Sequence, residues 1–555
     1  MCGIVGVVAS EQTWDGTGDI QTLVVPSLDE ALRRLQTTVS DADLVACLEA
    51  AAKEVGAVQG LLAGPRGVVC VAHAAEMLPI YQSKLDEIWG RIEAFEADLD
   101  EHGAIDVDIE RVNAALEKLK DLTWRVRSDH LRIAAGAIYL AGADASPHTT
   151  GLFSMISIAL SAIDRIEVRG RDSAGIAVVV RDHGLDLSSP EIRSMIEARS
   201  ADPLLPSMSV REGGGNLCFV YKAAAEVGEL GDNTRKIRAE IWSDHFIHRV
   251  LASPDARVIV LGHTRWASVG MISEPNAHPL ASDEGPVTLA VLNGDIDNHA
   301  DIRAAEGFEF PREITTDTKI IPALMSRRIT DGLDVAEAFR RTVSVFEGST
   351  AIGAISLLQP DRLFLALRGS GQALYVGLSD LGYVVASEPY GSVEQASAYV
   401  RMEGEGDTRG QIVVVTEPTH GGTDGLIRRS YDGTELPIGD GDVKGAEITT
   451  RDVDRGPYPH FLLKELLSSP RSFRKTLRGR LVGAGDEARV VLGEEALPRE
   501  LIDKLTSGAI TRITVIGQGS AAIAGRAVGV TLAAALDPSP VDVAAMAAPE
   551  LSGFG

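Results

Sequence analysis

The chain opens on an apolar run, Ile4 to Val8, that is rich in β-branched residues and too short for a core helix. It predicts a buried strand at the very start of the fold. Much later, Leu85, Ile88, Ile92, Phe95 and Leu99 recur at helical spacing, as do Ile109, Val112, Leu116 and Leu119, with His102-Gly103 between the two stretches. This pattern predicts an antiparallel hairpin of two amphipathic helices. The hairpin is expected to pack on its own domain; a docking or oligomerisation arm is the other reading. From about residue 149 the pattern changes. Leu152 to Ile163 reads as a helix, and the polar turn at 168–175 feeds a strand ending at Val180. Strands follow at 257–261, 288–292, 352–358, 363–367, 383–387 and 411–416, with helices at 317–329 and 334–345. Residues 418–456 are rich in Gly, Asp and Thr and read as a last hairpin and a linker. Beyond them come a helix from Phe461, a second restarted at Pro470, and a third at Leu501 to Leu505. The strand Ile513–Ile516, the turn Gly517-Gln518-Gly519-Ser520, a helix over 521–536 and a strand at 541–543 complete the series.

Strands mixed with helices in this way predict a layered α/β or α+β domain ending near residue 440. At 555 residues and 45% hydrophobic, the chain has room for two to four globular domains. The net charge of −26 argues against nucleic acid as a partner. No run of 18 apolar residues is present to cross a membrane, and the first residues lack a signal-peptide pattern, so a cytoplasmic setting is expected. Cys2, Cys47, Cys70 and Cys218 show neither paired nor metal-ligand spacing, so no metal or cofactor is called for.

Cys2 alone has an evident chemical use. Removal of Met1 would make it the N-terminal residue, joining a thiol nucleophile to an α-amine that titrates near ~7.7–8.0. Nucleophile and base on one residue is the arrangement of an N-terminal nucleophile hydrolase. Further along, Arg265 offers a planar fork that suits a carboxylate, and Asn293-Gly294 can aim a side-chain amide and a backbone N–H at an oxyanion. Taken singly, Arg265 would also serve as a surface ion pair, Asn293-Gly294 as an ordinary turn and Asp317 as a helix cap.

Six motifs occur in order: Met1-to-Val8, Arg169-Gly-Arg-Asp-Ser-Ala-Gly-Ile176, Gly262-His-Thr-Arg-Trp-Ala267, Asn276-Ala-His-Pro279, Leu292-Asn-Gly-Asp-Ile-Asp-Asn-His299 and Thr316-Asp-Thr318. Together they resemble the glutaminase domain of the glutamine–fructose-6-phosphate aminotransferase (glucosamine-6-phosphate synthase) family. Tyr458-Pro-His-Phe-Leu-Leu-Lys-Glu465 and Thr476-Leu-Arg-Gly-Arg480 resemble the join to that family's sugar isomerase half. The resemblance implies an α+β, four-layer α/β/β/α N-terminal nucleophile hydrolase domain over residues 1–445, a mostly helical insertion at about 9–149, a linker at 446–457 and the first part of a doubly wound α/β sugar isomerase domain at 458–555. It implies Cys2, Asn293 and Gly294 as catalytic groups, and Arg265, Trp266, Ser268, His278 and Asp317 around glutamine, with Asp317 on the α-ammonium. Ser268 and Val269 stand where the family often has threonine and histidine.

The turn at 517–520 resembles a first phosphate loop, with Gly519 and Ser520 as candidate phosphate ligands, although Gln518 and Ala521 depart from the family pattern. The second phosphate loop and the isomerase catalytic residues have no counterpart, so this chain is expected to be truncated and to retain only the glutaminase half. Fructose 6-phosphate is expected as a partner only if the remainder is supplied, and the complete form is expected to be a homo-oligomer. Two other readings stand beside this one. The first is a related amidotransferase of nucleotide or amino-acid synthesis; the second is a non-catalytic glutamine-sensing scaffold.

Overall fold

The structure is a computed structural model that describes residues 2–9, 20–36, 41–102, 109–224, 229–267, 270–405, 410–418, 422–477, 481–482, 489–490, 497–548 and 550–551. They divide into two compact units, one of residues 1–96 and 106–464, the other of residues 97–105 and 465–555.

The first unit is built on two stacked sheets. Its strands, in chain order, are β1 (Gly3–Ala9), β2 (Ser173–Arg181), β3 (Ser209–Gly213), β4 (Asn216–Ala224), β5 (Arg257–Arg265), β6 (Leu280–Ala281), β7 (Thr288–Gly294) and β8 (Thr350–Ser356). They continue as β9 (Gln359–Arg368), β10 (Tyr375–Ser379), β11 (Gly382–Ala386), β12 (Ala398–Arg401), β13 (Gln411–Thr416), β14 (Leu426–Ser430) and β15 (Val443–Gly445). One sheet has nine strands in the order β15-β12-β10-β11-β1-β5-β2-β4-β3, and the other has six in the order β14-β13-β9-β8-β7-β6. Every recorded pairing within these two sheets is antiparallel, so the fold is α+β. The inner faces meet in one apolar layer that includes Ile4, Val8, Leu261, Val291, Leu365 and Val385. A second cluster covers the far side of the six-stranded sheet, where Ile321, Leu324, Phe339 and Val343 pack on Ile352, Phe364 and Val414.

The strand predicted at residues 4–8 is therefore central, because a run apolar on both faces is stable only between two covered layers. The other predicted strands are also present, with 352–358 resolving into β8 and the turn before β9.

Helices α1 (Ile20–Gln36), α2 (Asp41–Leu62), α3 (Gly64–His73), α4 (Leu78–His102), α5 (Ile109–Trp124) and α6 (Leu131–Ala141) fall in the segment expected to be a helical insertion. The expected hairpin is α4 and α5, held antiparallel by the Trp89–Trp124 ring contact, the Glu96–Lys120 ion pair at 2.5 Å and the Asp86–Arg127 pair at 2.6 Å. The other four helices are not among the predicted elements; in α2 and α6, alanine-rich faces give little contrast between buried and exposed sides. Helices α3 and α6 lie against α7 (Pro147–Ile166), so the insertion packs on its own domain. Ser146 caps α7 by accepting the Thr149 N–H, and Pro147 occupies the first turn, where no backbone donor is needed. Helix α7 is buried along nearly its whole length and packs on β1 and β5.

Helices α8 (Pro190–Ser200), α9 (Asp232–Ser243), α10 (His245–Leu251), α11 (His299–Glu306), α12 (Ile320–Thr330) and α13 (Val335–Ser344) complete the outer layers. The predicted helix at 317–329 is a tighter 3₁₀ turn at Asp317–Lys319 running into α12.

Helix α14 (Phe461–Leu477) runs unbroken through Pro470 instead of restarting there. A proline removes one backbone bond and bends a helix, and flanks rich in Leu, Lys and Arg carry this one through. The second unit contains α15 (Arg499–Thr506) and a parallel pair of strands, Arg512–Gly517 and Asp542–Ala547, linked by the helix Ser520–Leu536. Among the described residues, no single helix is long and apolar enough to cross a membrane.

Candidate active site

Strand β1 places Cys2 at the start of the central strand, where Gly3 pairs with Thr264 of β5. A side chain on Gly3 would meet Ile166 Cδ1 at 2.5 Å and Thr264 Cγ2 at 2.8 Å, so the residue after the thiol must be glycine for the terminus to lie this close to α7. The strand is pinned further by Ser387, whose hydroxyl accepts the Ile4 N–H at 3.0 Å and whose own N–H donates to the Ile4 carbonyl at 3.0 Å.

The thiol sits against the backbone just after β5. Cys2 Sγ is 3.3 Å from the Trp266 carbonyl oxygen and 3.3 Å from the Trp266 nitrogen. Burial raises the thiol pKa above its usual value of 9.0, and the Trp266 contact and the charge of Arg265 only partly offset this. At neutral pH the group is a thiol, and it needs a base to become a nucleophile.

Strand β7 ends at Asn293-Gly294, on the other sheet. Asn293 Nδ2 donates to the Cys2 carbonyl oxygen at 3.0 Å, which brings the expected oxyanion donor beside the expected nucleophile. Gly294 has φ of +86°, and a Cβ there would lie 2.0 Å from the Ser349 carbonyl oxygen. Only glycine fits this turn.

Arg265 is 3% exposed, which removes the surface ion-pair alternative. It donates to the Met271 carbonyl at 3.0 Å, and burial lowers its pKa while Cys2, Asp317 and Asp172 act in the opposite direction. Asp317 is also buried. Its Oδ2 accepts the Ile296 N–H at 2.8 Å and its Oδ1 accepts the Thr316 hydroxyl at 3.3 Å. The hydroxyl that caps the turn belongs to Thr316, so Asp317 is not the helix cap. Burial pushes the Asp317 carboxyl up, against the pull of the Ile296 N–H. A buried guanidinium and a buried carboxylate near the thiol are suited to the two charged ends of a free amino acid.

Trp266 is 51% exposed and presents its ring at the surface beside Cys2. His278 lies deeper, accepting the Leu292 N–H at Nδ1 (3.4 Å) and donating from Nε2 to the Thr318 hydroxyl at 2.9 Å. It therefore supports the ends of β7 and the Asp317 turn from behind. Ser268 and Val269 lie outside the described residues. In the second unit, Gly519 has φ of +58° and Ser520 opens the following helix. There the N–H groups of Ala521 and Ala522 already donate to the carbonyls of Gln518 and Gly519.

Three contributors carried no role in the sequence reading. Asp172 accepts the Ala267 N–H at 2.9 Å and its own N–H donates to Arg265 O at 3.1 Å, fixing the chain beside the thiol. Thr318 anchors His278. His263 contacts Asn293, and the signal was available: it stands two residues before Arg265 on a strand, so both share one face.

The chain is similar to glutamine–fructose-6-phosphate aminotransferases. It is 29% identical over 325 residues to that of Bacillus cereus, covering 58% of this chain and 42% of the relative. It is also 29% identical over 322 residues to that of Streptococcus mutans, covering 58% of this chain and 42% of the relative. The chain thus spans less than half the length of these curated relatives. No family model matches. Among solved structures, a glutamine phosphoribosylpyrophosphate amidotransferase from B. subtilis aligns with a TM-score of 0.31 at 16% identity, covering 49% of this chain and 46% of that one. An allosteric regulatory enzyme of purine biosynthesis aligns with a TM-score of 0.33 at 17% identity over the same shares.

Proposed function

We propose that this chain is a glutamine amidotransferase that hydrolyses glutamine through Cys2 and supplies ammonia for the conversion of fructose 6-phosphate to glucosamine 6-phosphate. The observation that carries the reading is the 3.0 Å contact of the Asn293 amide with Cys2, which joins the nucleophile to a donor from the opposite sheet. Loss of Met1 frees the Cys2 α-amine to take the thiol proton. The thiolate attacks the side-chain amide carbon of glutamine, and the oxyanion receives the second Asn293 N–H and the Gly294 N–H. Collapse returns the proton to the leaving nitrogen, releasing ammonia and leaving a γ-glutamyl thioester. Water, activated by the same amine, then cleaves the thioester to glutamate and free Cys2. Arg265 and Asp317 hold the α-carboxylate and α-ammonium, with Trp266, Ser268 and His278 forming or supporting the pocket.

We assign residues 1–445 to this glutaminase and residues 458–555 to part of a sugar isomerase domain, with Gly519 and Ser520 toward a sugar phosphate. Among the described residues past 464 there is one strand-turn-helix-strand unit with one phosphate loop, and we assign this chain the glutaminase half, in a cytoplasmic setting. The test is ammonia release from glutamine by the full chain and by Cys2→Ala. Release by the parent and none by the variant is the expected result; equal release by both would refute the reading.

A further inference from the structure

His263 is fully buried near the end of β5, opposite Ile4 of β1, and its ring reaches across to the second sheet. Its Nε2 lies 2.9 Å from the Leu292 carbonyl oxygen and 3.1 Å from Asn293 Oδ1. A carbonyl oxygen can only accept, so Nε2 carries the ring proton and shares it between the two oxygens. Burial pushes the His263 pKa down to about 3, so the ring stays neutral with its single proton on Nε2. Nδ1 is left as a bare acceptor, in keeping with its having no hydrogen-bond partner among the described residues. His278 lies behind the ring at 4.3 Å between centroids and is itself held by Leu292 and Thr318.

This contact decides which way Asn293 faces. An asparagine amide has two nearly isosteric orientations, and the hydrogen-bond network alone selects between them. With Oδ1 held by the His263 N–H, the NH₂ group must face Cys2. One of its hydrogens goes to the Cys2 carbonyl at 3.0 Å, and the other remains for the site. The flipped amide would set Oδ1 against the Cys2 carbonyl oxygen, two acceptors in contact, and would turn a lone pair toward the developing oxyanion.

We propose that His263 is a positioning residue that locks the Asn293 amide with its NH₂ group toward the nucleophile. It touches no substrate atom and acts only through Asn293. The inference rests on the glutaminase reading, and the experiment keeps the two apart. Glutamine hydrolysis is measured for the full chain, His263→Leu, His263→Gln, Asn293→Ala and the double variant His263→Leu/Asn293→Ala, each checked for a folded state by circular dichroism. If the parent chain does not hydrolyse glutamine, the glutaminase reading has failed. With an active parent, His263→Leu should lower kcat by roughly ten- to a hundred-fold while KM for glutamine moves less than about threefold. His263→Gln, whose side-chain amide can again donate to Oδ1, should recover most of the loss. Adding His263→Leu to Asn293→Ala should cost little more than Asn293→Ala alone, as expected for two residues that act as one unit. Equal losses with and without Asn293, or a His263→Gln variant as slow as His263→Leu, would overturn the proposal. If His263→Leu does not fold, the His263→Gln kcat and its pairing with Asn293→Ala decide the matter in the same terms.

Discussion

Burial opposes ionisation of the Cys2 thiol, so the pH dependence of the reaction is set by the group that removes its proton. With Met1 removed, kcat/KM for glutamine should rise through about pH 7.7–8.0 as the α-amine becomes free. A flat pH–rate profile across that range would contradict the amine as base. Arg265→Lys should raise KM for glutamine at least about tenfold, because a point charge cannot replace a buried bidentate fork. Asn293→Ala should instead lower kcat by about 10²–10³ with KM little changed. Steady-state kinetics of the two variants separates substrate grip from transition-state stabilisation. Another buried group has a cost that the nearby charge of Glu274 only partly offsets. Lys222 is completely buried, its Nζ has no hydrogen-bond partner among the described residues, and burial pulls its pKa from 10.5 to about 7. Between those values the unfolded chain binds a proton that the folded chain does not, so stability falls as pH drops from 10.5 toward 7, and the full penalty remains below. Lys222→Met should therefore be more stable at pH 7 by a few kcal/mol, and should gain less stability between pH 7 and 9 than the parent in urea unfolding. Cys2, Arg265, Asn293 and Gly294 could be singled out as candidates in the chain because a nucleophile, a carboxylate grip and an oxyanion donor each call for particular groups, whereas Asp317 came from the family resemblance alone. His263 could be placed on the Arg265 face of its strand but not against Asn293, and Lys222 gave no signal, since a polar residue inside a strand does not reveal what faces it across two sheets.

Helices and strands were legible to the extent that burial was one-sided or complete. The run at residues 4–8 is apolar without interruption and became the central strand, and the 3-4 spacing of α4 and α5 survived as a packed hairpin. Helices α2 and α6 are hidden because alanine blurs their two faces, whereas α1 and α3 are amphipathic and were legible in principle. The hairpin of β3 and β4 and the helices α8 to α10 lie where short polar stretches hide the period. What ties the helical segment to the sheets is a charge network, buried at Arg165, Asp129 and Glu394, that no periodicity shows. Arg165 of α7 reaches Asp129 at 2.9 Å and Glu394 at 3.0 Å, and Arg132 reaches Glu394 at 2.6 Å. Thr450, from the stretch predicted as a linker, donates to Asp129 at 2.5 Å and accepts from the Trp124 indole at 3.0 Å. Burial pushes both carboxyls up; Arg165 and Arg132 hold Glu394 low, whereas Glu394 adds to the upward push on Asp129. Glu394→Ala leaves the buried guanidinium of Arg165 facing Asp129 alone, and should cost roughly 3–5 kcal/mol in chemical denaturation. A loss under about 1 kcal/mol would mean that the network contributes no net stability.

Across the molecule, the two units differ in how they are held together. The first has apolar layers on both sides of its six-stranded sheet, while among the described residues past 464 no large apolar side chain is fully buried. Leu466, Leu467, Phe473, Ile523 and Val530 are all more than half exposed, and a two-stranded parallel pair with one helix cannot cover its own apolar face. Limited proteolysis should therefore cleave beyond about residue 464 first and leave a resistant core below it. A C-terminal segment as resistant as the core would contradict this. The central claim is that Cys2 is the nucleophile of a glutaminase. It is tested most directly by intact-mass and peptide mass spectrometry of the full chain treated with a glutamine-like electrophile. The account predicts loss of Met1 and a single adduct on Cys2, suppressed by excess glutamine. A label on Cys47, Cys70 or Cys218, or a Cys2 that stays unmodified, would contradict it.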